Sequence, residues 1–350
     1  MSESERQSDD SHAAGDGFDR VAGMALRRPS PAGAVNYGAV EVLLLDRDLA
    51  MRHLIRSALH GIGFRHVVEC RSVQEVAQTV SQRQVDLLLL DLDTDTAQVC
   101  DTIRDIRNHR YGHNPFIVVM AMTWTPERKI ITQTLDAGTD DVLAKPVSAA
   151  VLRERVLNLV QARKDFVVTT NYLGPDRRQQ PRLGETDLPA IAVPNGLRYK
   201  ATGDKQAIAD PQQIGQAMRT VRTHRVCRSA LSLAAAIHRL EKLARASSTA
   251  DVTALQVNDM ANQIGAISGA IREEGLGKLT PIADSMAAMV SGIRTGRDAT
   301  IRHFEILRLH ALAMAATIQE NEQAAKLVTD SLNEATSLLN RPARKRKAAR

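Results

Sequence analysis

Four polar residues stand directly after short apolar runs, and this placement constrains the fold more than any other feature of the sequence. They are Asp46, Asp91, Thr123 and Lys145. The runs before them lie at 42–45, 87–90, 117–122 and 142–144. In an open parallel sheet, side chains that leave the carboxyl ends of neighbouring strands converge on one crevice. We therefore expect two carboxylates, a hydroxyl and an ammonium group to share one pocket.

The apolar runs belong to a longer alternation of strands and helices. Strand candidates lie near 41–45, 66–70, 85–90, 116–121 and 141–144. Helical segments separate them, and the last helix spans about 148–163. Such alternation predicts an α/β fold with a parallel sheet.

The residue types at the four strand ends suit phosphoryl transfer to a carboxylate. That reaction needs an oxygen nucleophile, a divalent cation and donors for the oxygens of the moving group. Asp91 fits the nucleophile because it follows an almost uninterrupted apolar run, which is typical of a strand covered on both faces.

Together with the turn at 137–141 and the pair Lys145-Pro146, these residues resemble the receiver domain of two-component response regulators. The resemblance implies a flavodoxin-like, doubly wound parallel sheet of five strands in the order 2-1-3-4-5. It also implies the role of each site residue. Asp91 would be the phosphoacceptor, and Asp46 and the main-chain carbonyl of Asp93 would be ligands of Mg²⁺. Thr123 would be the switch hydroxyl. Lys145 would pair with the phosphoryl group, and the bond to Pro146 would be cis.

The sequence departs from the receiver pattern beside Asp46. Arg47 occupies the position where the family has a second acid, and a guanidinium there lowers affinity for a cation while attracting phosphate directly. Asp48 is an alternative metal ligand, but an Asp at this position is also an ordinary N-cap, and we favour the capping role.

Composition and turn signals divide the chain into five parts. We predict a disordered leader at 1–38, the receiver domain at 39–163, a Pro/Gly-containing linker at 164–210, a helical bundle or dimerisation domain at 211–340 and a basic tail at 341–350.

The carboxy-terminal half has the pattern of an all-α domain. Helix candidates lie at 211–245, 250–273, 280–294 and 297–340, and the last carries a heptad seam that includes Asn321. The seam would close either an intramolecular four-helix bundle or a homodimer. His238 lacks the Lys and Gly that follow the histidine of a phosphotransfer domain, so we do not assign it that role.

Net charge, hydropathy and cysteine spacing limit the remaining classes. The net charge is +6, and the tail at 341–350 supplies all of that excess, so we do not expect the folded domains to bind nucleic acid. No apolar run approaches the ~20 residues of a membrane span, and there is no secretory signal. The three cysteines have no metal-ligand spacing. A cytoplasmic protein that is not an enzyme follows as the expectation.

Three functional hypotheses follow from these observations. The first is a response regulator that accepts a phosphoryl group on Asp91 from a sensor histidine kinase or phosphotransfer protein and relays its state to a downstream protein partner. The second is a phosphorylation-independent pseudo-receiver scaffold with Arg47 in its pocket. The third is a nucleic-acid-binding regulator that acts through the tail at 341–350.

Overall fold

The amino-terminal half of the chain forms a five-stranded parallel sheet covered by helices on both faces. In this computed structural model the described residues are 35–178, 188–246, 254–294 and 300–319. The strands are β1 Glu41–Leu45, β2 His66–Cys70, β3 Leu87–Asp91, β4 Val118–Thr123 and β5 Asp141–Ala144. Their order is β2-β1-β3-β4-β5 and every pair is parallel. The predicted fold class is confirmed.

Five helices connect and follow these strands. They are α1 Leu49–Ile62, α2 Val73–Gln82, α3 Thr96–Arg107, α4 Arg128–Asp136 and α5 Ala149–Ala162. Helices α1 and α5 pack on one face of the sheet, where Leu44, Leu89 and Met120 point. Helices α2 and α3 cover the other face, onto which Leu88 and Val119 project. Because neighbouring residues of a strand point to opposite faces, both faces need apolar residues, and β3 is buried along its whole length.

Local side-chain caps begin most of these helices. Asp48 accepts hydrogen bonds from the amides of Ala50 and Met51 at the start of α1, so the favoured capping role of Asp48 is the one observed. Ser72 and Ser148 cap α2 and α5 in the same way. These caps satisfy amides that have no partner inside the helix.

The segment predicted as a linker at 164–210 contains ordered structure in its described part. Strands β6 Phe166–Val168 and β7 Leu173–Pro175 form an antiparallel hairpin, and α6 Gly196–Thr202 packs its Leu197 and Ala201 into the core beside α1 and α5. The Pro and Gly residues suggested an irregular connection. Gly174 is instead required by a close approach, because a Cβ there would lie 2.7 Å from the Gly138 Cα.

A buried ionic network attaches this hairpin to the receiver. Arg107 and Arg163 bind the Asp140 carboxylate, at 2.9 Å and 2.7 Å, and all three side chains are at least 95% buried. The two guanidinium groups lie 5.2 Å and 5.0 Å from the Phe166 ring centroid. Burial lowers the pKa of Arg107 to about 10. The arginines hold the pKa of Asp140 below its usual range although burial opposes this.

Four helices make up the described carboxy-terminal region: α7 Pro211–Ala246, α8 Ala254–Glu273, α9 Thr280–Arg294 and α10 Ile301–Ile318. They share one apolar core. The first half of the predicted seam lies in that core, since Phe304, Leu307, Ala311 and Met314 are buried. The first turns of α7 pack against the hairpin instead, through Ile214, Met218 and Val221. One long helix thus joins the hairpin to the bundle.

Several sequence predictions concern residues outside the described part of the chain. These are residues 1–34 of the leader predicted at 1–38, the seam after residue 319 with Asn321, and the tail at 341–350. The described end of that leader is ordered, since Tyr37 is buried and stacks on Phe64. Among the helices that are described, none combines the length and hydropathy needed to cross a membrane.

Candidate functional site

Three of the four strand-end side chains meet at the carboxyl edge of the sheet. Lys145, after β5, places its Nζ 2.8 Å from Asp46 Oδ2, after β1, and 2.5 Å from Asp91 Oδ1, at the end of β3. These side chains are at least 95% buried. The site therefore joins residues 99 and 54 positions apart in sequence through one ammonium group. The Lys145-Pro146 bond is cis, as the sequence suggests.

Burial and charge act in opposite directions on this cluster. Burial alone lowers the pKa of Lys145, but its hydrogen bonds and ion pairs with Asp46 and Asp91 outweigh that effect, so its pKa is raised. Burial raises the pKa of Asp91, and Lys145 offsets part of that rise. The ammonium group is consequently charged at neutral pH and neutralises part of the acidic cluster.

The fourth strand-end residue, Thr123, reaches the cluster through Asp93. The Thr123 hydroxyl donates to Asp93 Oδ1 at 2.9 Å, and the Trp124 amide donates to Asp93 Oδ2 at 2.9 Å. Asp93 Oδ2 is 3.9 Å from Lys145 Nζ. The resemblance implied a role only for the main-chain carbonyl of Asp93, whereas the Asp93 carboxylate is a third acid beside Lys145.

Thr94 is a site residue that the sequence analysis missed. Its hydroxyl donates to Asp91 Oδ2 at 2.8 Å, and the Asp93 amide donates to Asp91 Oδ1 at 3.2 Å. Residues Leu92–Thr94 form a short 3₁₀ helix that folds back over Asp91. The available signal was an Asp followed three positions later by Thr, a spacing that allows a local side-chain hydrogen bond.

Trp124 lies over the site, and the sequence alone gave no indication of this position. Lys145 Nζ is 6.0 Å from the Trp124 ring centroid, and the indole is 51% exposed. It is the one tryptophan of the 350 residues. Its emission therefore reports on this pocket alone.

The loop after β1 is held by Arg52 and by Asp46, whose Oδ1 accepts a hydrogen bond from the Asp48 amide at 2.9 Å. Arg52 Nη1 donates to the carbonyls of Asp46 and Arg47, at 2.6 Å and 3.2 Å, and Arg52 Nε pairs with Glu69 at 3.4 Å. The Arg47 side chain is exposed, and among the described residues it makes no ion pair with the pocket acids. The cation in the pocket is Lys145.

The residues around Lys145 match Mg²⁺ in the type of donor they offer. The carboxylates of Asp46 and Asp91 face a common space, because one ammonium group contacts both, and carboxylate oxygens are the protein ligands that Mg²⁺ takes, usually one or two at a time. Within the described residues, no group of three or more His, Cys, Asp or Glu side chains is arranged to hold a metal ion. Water and phosphate oxygens would have to complete the coordination.

The fold and the pocket define a class of protein. The five-stranded sheet in the order 2-1-3-4-5 is a flavodoxin-like, doubly wound sheet, and a buried aspartate at the end of its central strand pairs with a lysine across the edge where such folds bind ligands. Comparison with known proteins identifies the family. Residues 42–157 match the response regulator receiver domain, and this part of the chain is a receiver domain. No family model matches the carboxy-terminal region.

Individual relatives agree with this assignment. The chain is 33% identical over 115 residues to the KDP operon transcriptional regulatory protein KdpE of Escherichia coli strain K12, and the match covers 33% of this chain and 48% of that protein. It is 25% identical over 118 residues to the chemotaxis protein CheY of Pseudomonas aeruginosa, covering 33% of this chain and 93% of that protein. The chain thus spans about half of the length of KdpE.

Among solved structures, the receiver domain of the sensor histidine kinase PA1611 from Pseudomonas aeruginosa PAO1 is 24% identical. The match covers 34% of this chain and 94% of that domain, with a TM-score of 0.30. That receiver domain holds a magnesium ion in its active-site cleft.

Proposed function

We propose that this protein is a cytoplasmic response regulator whose Asp91 accepts a phosphoryl group and whose helical region transmits the resulting state to a protein partner. The observation that carries the proposal is the placement of Lys145 Nζ between Asp46 and Asp91, at 2.8 Å and 2.5 Å. It brings two carboxylates and an ammonium group together at the edge of the sheet where ligands of such folds bind, which supports these roles.

The chemical step is an in-line displacement at phosphorus. An Asp91 carboxylate oxygen attacks the phosphoryl group of a phosphohistidine on a sensor kinase or phosphotransfer protein, so that a P–O bond forms and the P–N bond breaks. The electron pair of the broken bond stays on the imidazole, which takes up a proton. The product is an acyl phosphate on Asp91. Lys145 is placed to pair with its oxygens after releasing Asp91 Oδ1.

Magnesium would be held by Asp46, by Asp91 and by the main-chain carbonyl of Asp93. When bound, the ion would offset the negative charge of the carboxylates and of the phosphoryl group. Asp48 is occupied as the cap of α1, so we do not include it among the ligands. The exposed Arg47 replaces the second acid, and we expect affinity for Mg²⁺ to be lower for that reason.

Transmission of the signal would begin at Thr123. Its hydroxyl contacts Asp93 in this structure, and it would turn to a phosphoryl oxygen once Asp91 is modified. Such a movement would bias the face formed by α4 and β5. The hairpin contacts this region, since Arg177 donates to the carbonyls of Thr139 and Asp140 directly before β5. The hairpin in turn packs on α7.

Trp124 emission tests the proposal in the full chain. Beryllofluoride mimics the phosphoryl group on an aspartate, so titration with Mg²⁺ and beryllofluoride should give a saturable change in emission. Asp91→Asn should abolish both this change and labelling by a phosphorylated histidine kinase. Saturable binding together with unchanged labelling of the Asp91→Asn variant would place the phosphorylation elsewhere and contradict the assignment of Asp91.

A second candidate is a phosphorylation-independent scaffold. One observation that favours it is Arg47 at the position of the second acid. The other is that no three acids among the described residues are arranged to hold a metal ion. If the Trp124 emission of the folded wild-type chain does not change on addition of Mg²⁺ and beryllofluoride, the scaffold hypothesis is supported.

The third hypothesis, nucleic-acid binding through 341–350, concerns residues outside the described part. It predicts salt-dependent binding that deletion of that tail removes.

A further inference from the structure

A large cleft separates the hairpin from the helical bundle, and none of the residues assigned to the phosphorylation site lines it. Its volume is about 1220 Å³. The hairpin and the end of α4 form one wall, and helices α7 and α10 form the other. Drug-sized ligands occupy pockets of roughly 300–1,000 Å³, so this cleft has room for a ligand of that size or somewhat larger.

The charged groups along the cleft are mostly positive. Its basic side chains are Arg177, Arg178, Arg228, Arg308 and His238. Asp136 is the one carboxylate among the described lining residues. Such an excess of guanidinium groups in a concave site favours an anionic ligand.

Local acids neutralise only two of the four arginines. Arg178 pairs with Asp176 at 3.0 Å, and Arg308 pairs with Glu241 at 3.1 Å. Within the described residues, Arg177 and Arg228 make no ion pair with a carboxylate. These two arginines therefore leave uncompensated positive charge at the cleft.

The same two arginines carry buried donors without acceptors. The Nε atoms of Arg177 and Arg228 are buried and have no hydrogen-bond partner in the described part of the chain. A buried donor without a partner costs about 1–3 kcal/mol, so a shift of these side chains that offers the donors to acceptor oxygens of a ligand would be favoured. Phosphate oxygens match a guanidinium group in charge and in geometry.

Part of the remaining lining is apolar and suits a flat, weakly polar group. Val167 and Leu135 line the receiver side, and Leu231 and Leu312 line the bundle side. On α7 the residues Arg228, Leu231, Ser232 and Ala235 recur at spacings of three and four, which places them on one face of the helix. Cationic side chains and apolar wall residues thus line the same cleft.

We propose that this cleft binds an anionic nucleotide, with its phosphates at Arg228 and Arg177 and its base against the apolar wall. The ligand would touch the hairpin and the bundle at once, so its binding would couple the position of the helices to the receiver. The inference goes beyond the proposed function and does not depend on phosphorylation of Asp91.

Fluorescence anisotropy of the full chain with methylanthraniloyl-labelled ATP and GTP tests the proposal. We expect saturable binding of at least one nucleotide, and loss of a charge-assisted hydrogen bond in Arg228→Gln should weaken it about tenfold or more. Arg239→Gln is the matched control, because it removes the same charge from the same helix at an exposed position outside the cleft. Its dissociation constant should stay within about twofold of the wild type.

A second variant tests the same site in case Arg228→Gln fails to fold. Ser232 is exposed and lines the cleft, so Ser232→Glu should fold and should weaken binding by placing a negative charge there. Asp91→Asn should bind the nucleotide normally, which separates this proposal from the phosphorylation assignment.

Three results would overturn the proposal. The first is an absence of saturable binding of both nucleotides up to about 1 mM. The second is an equal loss of binding in Arg228→Gln and Arg239→Gln. The third is capture of a polyglutamate peptide, used as a probe, without nucleotide binding, which would assign the cleft to an acidic protein segment.

Discussion

The Thr123 hydroxyl donates a hydrogen bond to the Asp93 carboxylate at 2.9 Å, so the hydroxyl is engaged away from Asp91. Asp93 also accepts from the Trp124 amide. One side chain therefore orients both residues at the end of β4. This relationship makes Asp93 a positioning residue of the pocket in the state described.

A double-mutant cycle between Asp93→Ala and Thr123→Ala should reveal this hydrogen bond. Because the Asp93 side chain is 30% exposed, we expect a coupling free energy of only about 0.5–1 kcal/mol. Urea denaturation of the four proteins measures it. The cycle with Thr125→Ala in place of Thr123→Ala is the control and should give a value near zero. Equal coupling in both cycles would contradict the pairing.

The pH dependence of phosphorylation should reflect the buried state of Asp91. The carboxylate is the nucleophile, and burial raises the pKa of Asp91, so the rate should fall on acidification at a higher pH than for an ordinary aspartate. Lys145 lowers this pKa, and Lys145→Met should therefore move the fall to still higher pH. Initial rates with acetyl phosphate between about pH 4 and 8 provide the measurement. An unshifted profile in Lys145→Met would show that Lys145 does not influence the nucleophile.

Asp140→Asn should destabilise the receiver and its hairpin strongly. The change leaves Arg107 and Arg163 buried without their carboxylate, and breaking such a pair costs about 3–5 kcal/mol. The pKa of Asp140 is depressed in the folded state, so its contribution is present above the unfolded-state pKa and is lost as the pH falls through the folded-state pKa. The difference in unfolding free energy between the wild type and the variant should accordingly shrink in acid.

Asp141→Asn is the matched control for that experiment. Asp141 lies beside Asp140, but its ion pair with Arg155 is longer, at 3.5 Å, and both side chains are more than 20% exposed. Such a pair contributes about 0–1 kcal/mol. If Asp141→Asn were as destabilising as Asp140→Asn in urea denaturation, the buried network would not be the anchor of the hairpin.

Glu241 should stabilise the helical bundle, though less than Asp140 stabilises the receiver, because its arginine partners are partly exposed. Its side chain is 3% exposed and pairs with Arg245 at 2.6 Å and with Arg308 at 3.1 Å. Glu241→Gln should cost about 1–2 kcal/mol, because the buried carboxylate loses two charge-assisted hydrogen bonds while Arg245 and Arg308, 54% and 31% exposed, remain solvated. Glu305, which pairs with Arg245 and Arg302 and is 24% exposed, provides the control in Glu305→Gln. Thermal unfolding that affects the two variants equally would contradict this ranking.

Much of the receiver could be predicted from the sequence because its signals are local or periodic. Strand alternation, the acids and the lysine directly after apolar runs, and the Asp48 cap each depend on residues within a few positions of one another. The expected meeting of Asp46, Asp91 and Lys145 needed only the rule that parallel strands end at one edge. The helix starts at 211 and 280 were equally accessible from turn and proline signals.

Tertiary structure decided where side chains point and which segments dock. The Asp93 carboxylate on Thr123 and the Thr94 hydroxyl on Asp91 depend on χ angles and loop shape that spacing does not specify. The hairpin looked like a linker because its Pro and Gly residues resemble turn signals. The hairpin is ordered because Phe166 packs against the guanidinium groups of Arg107 and Arg163. Sequence thus determined the elements and the pocket's position, through short-range periodicity. The folded chain decided the contacts among distant side chains, since burial and pairing exist only once those elements pack.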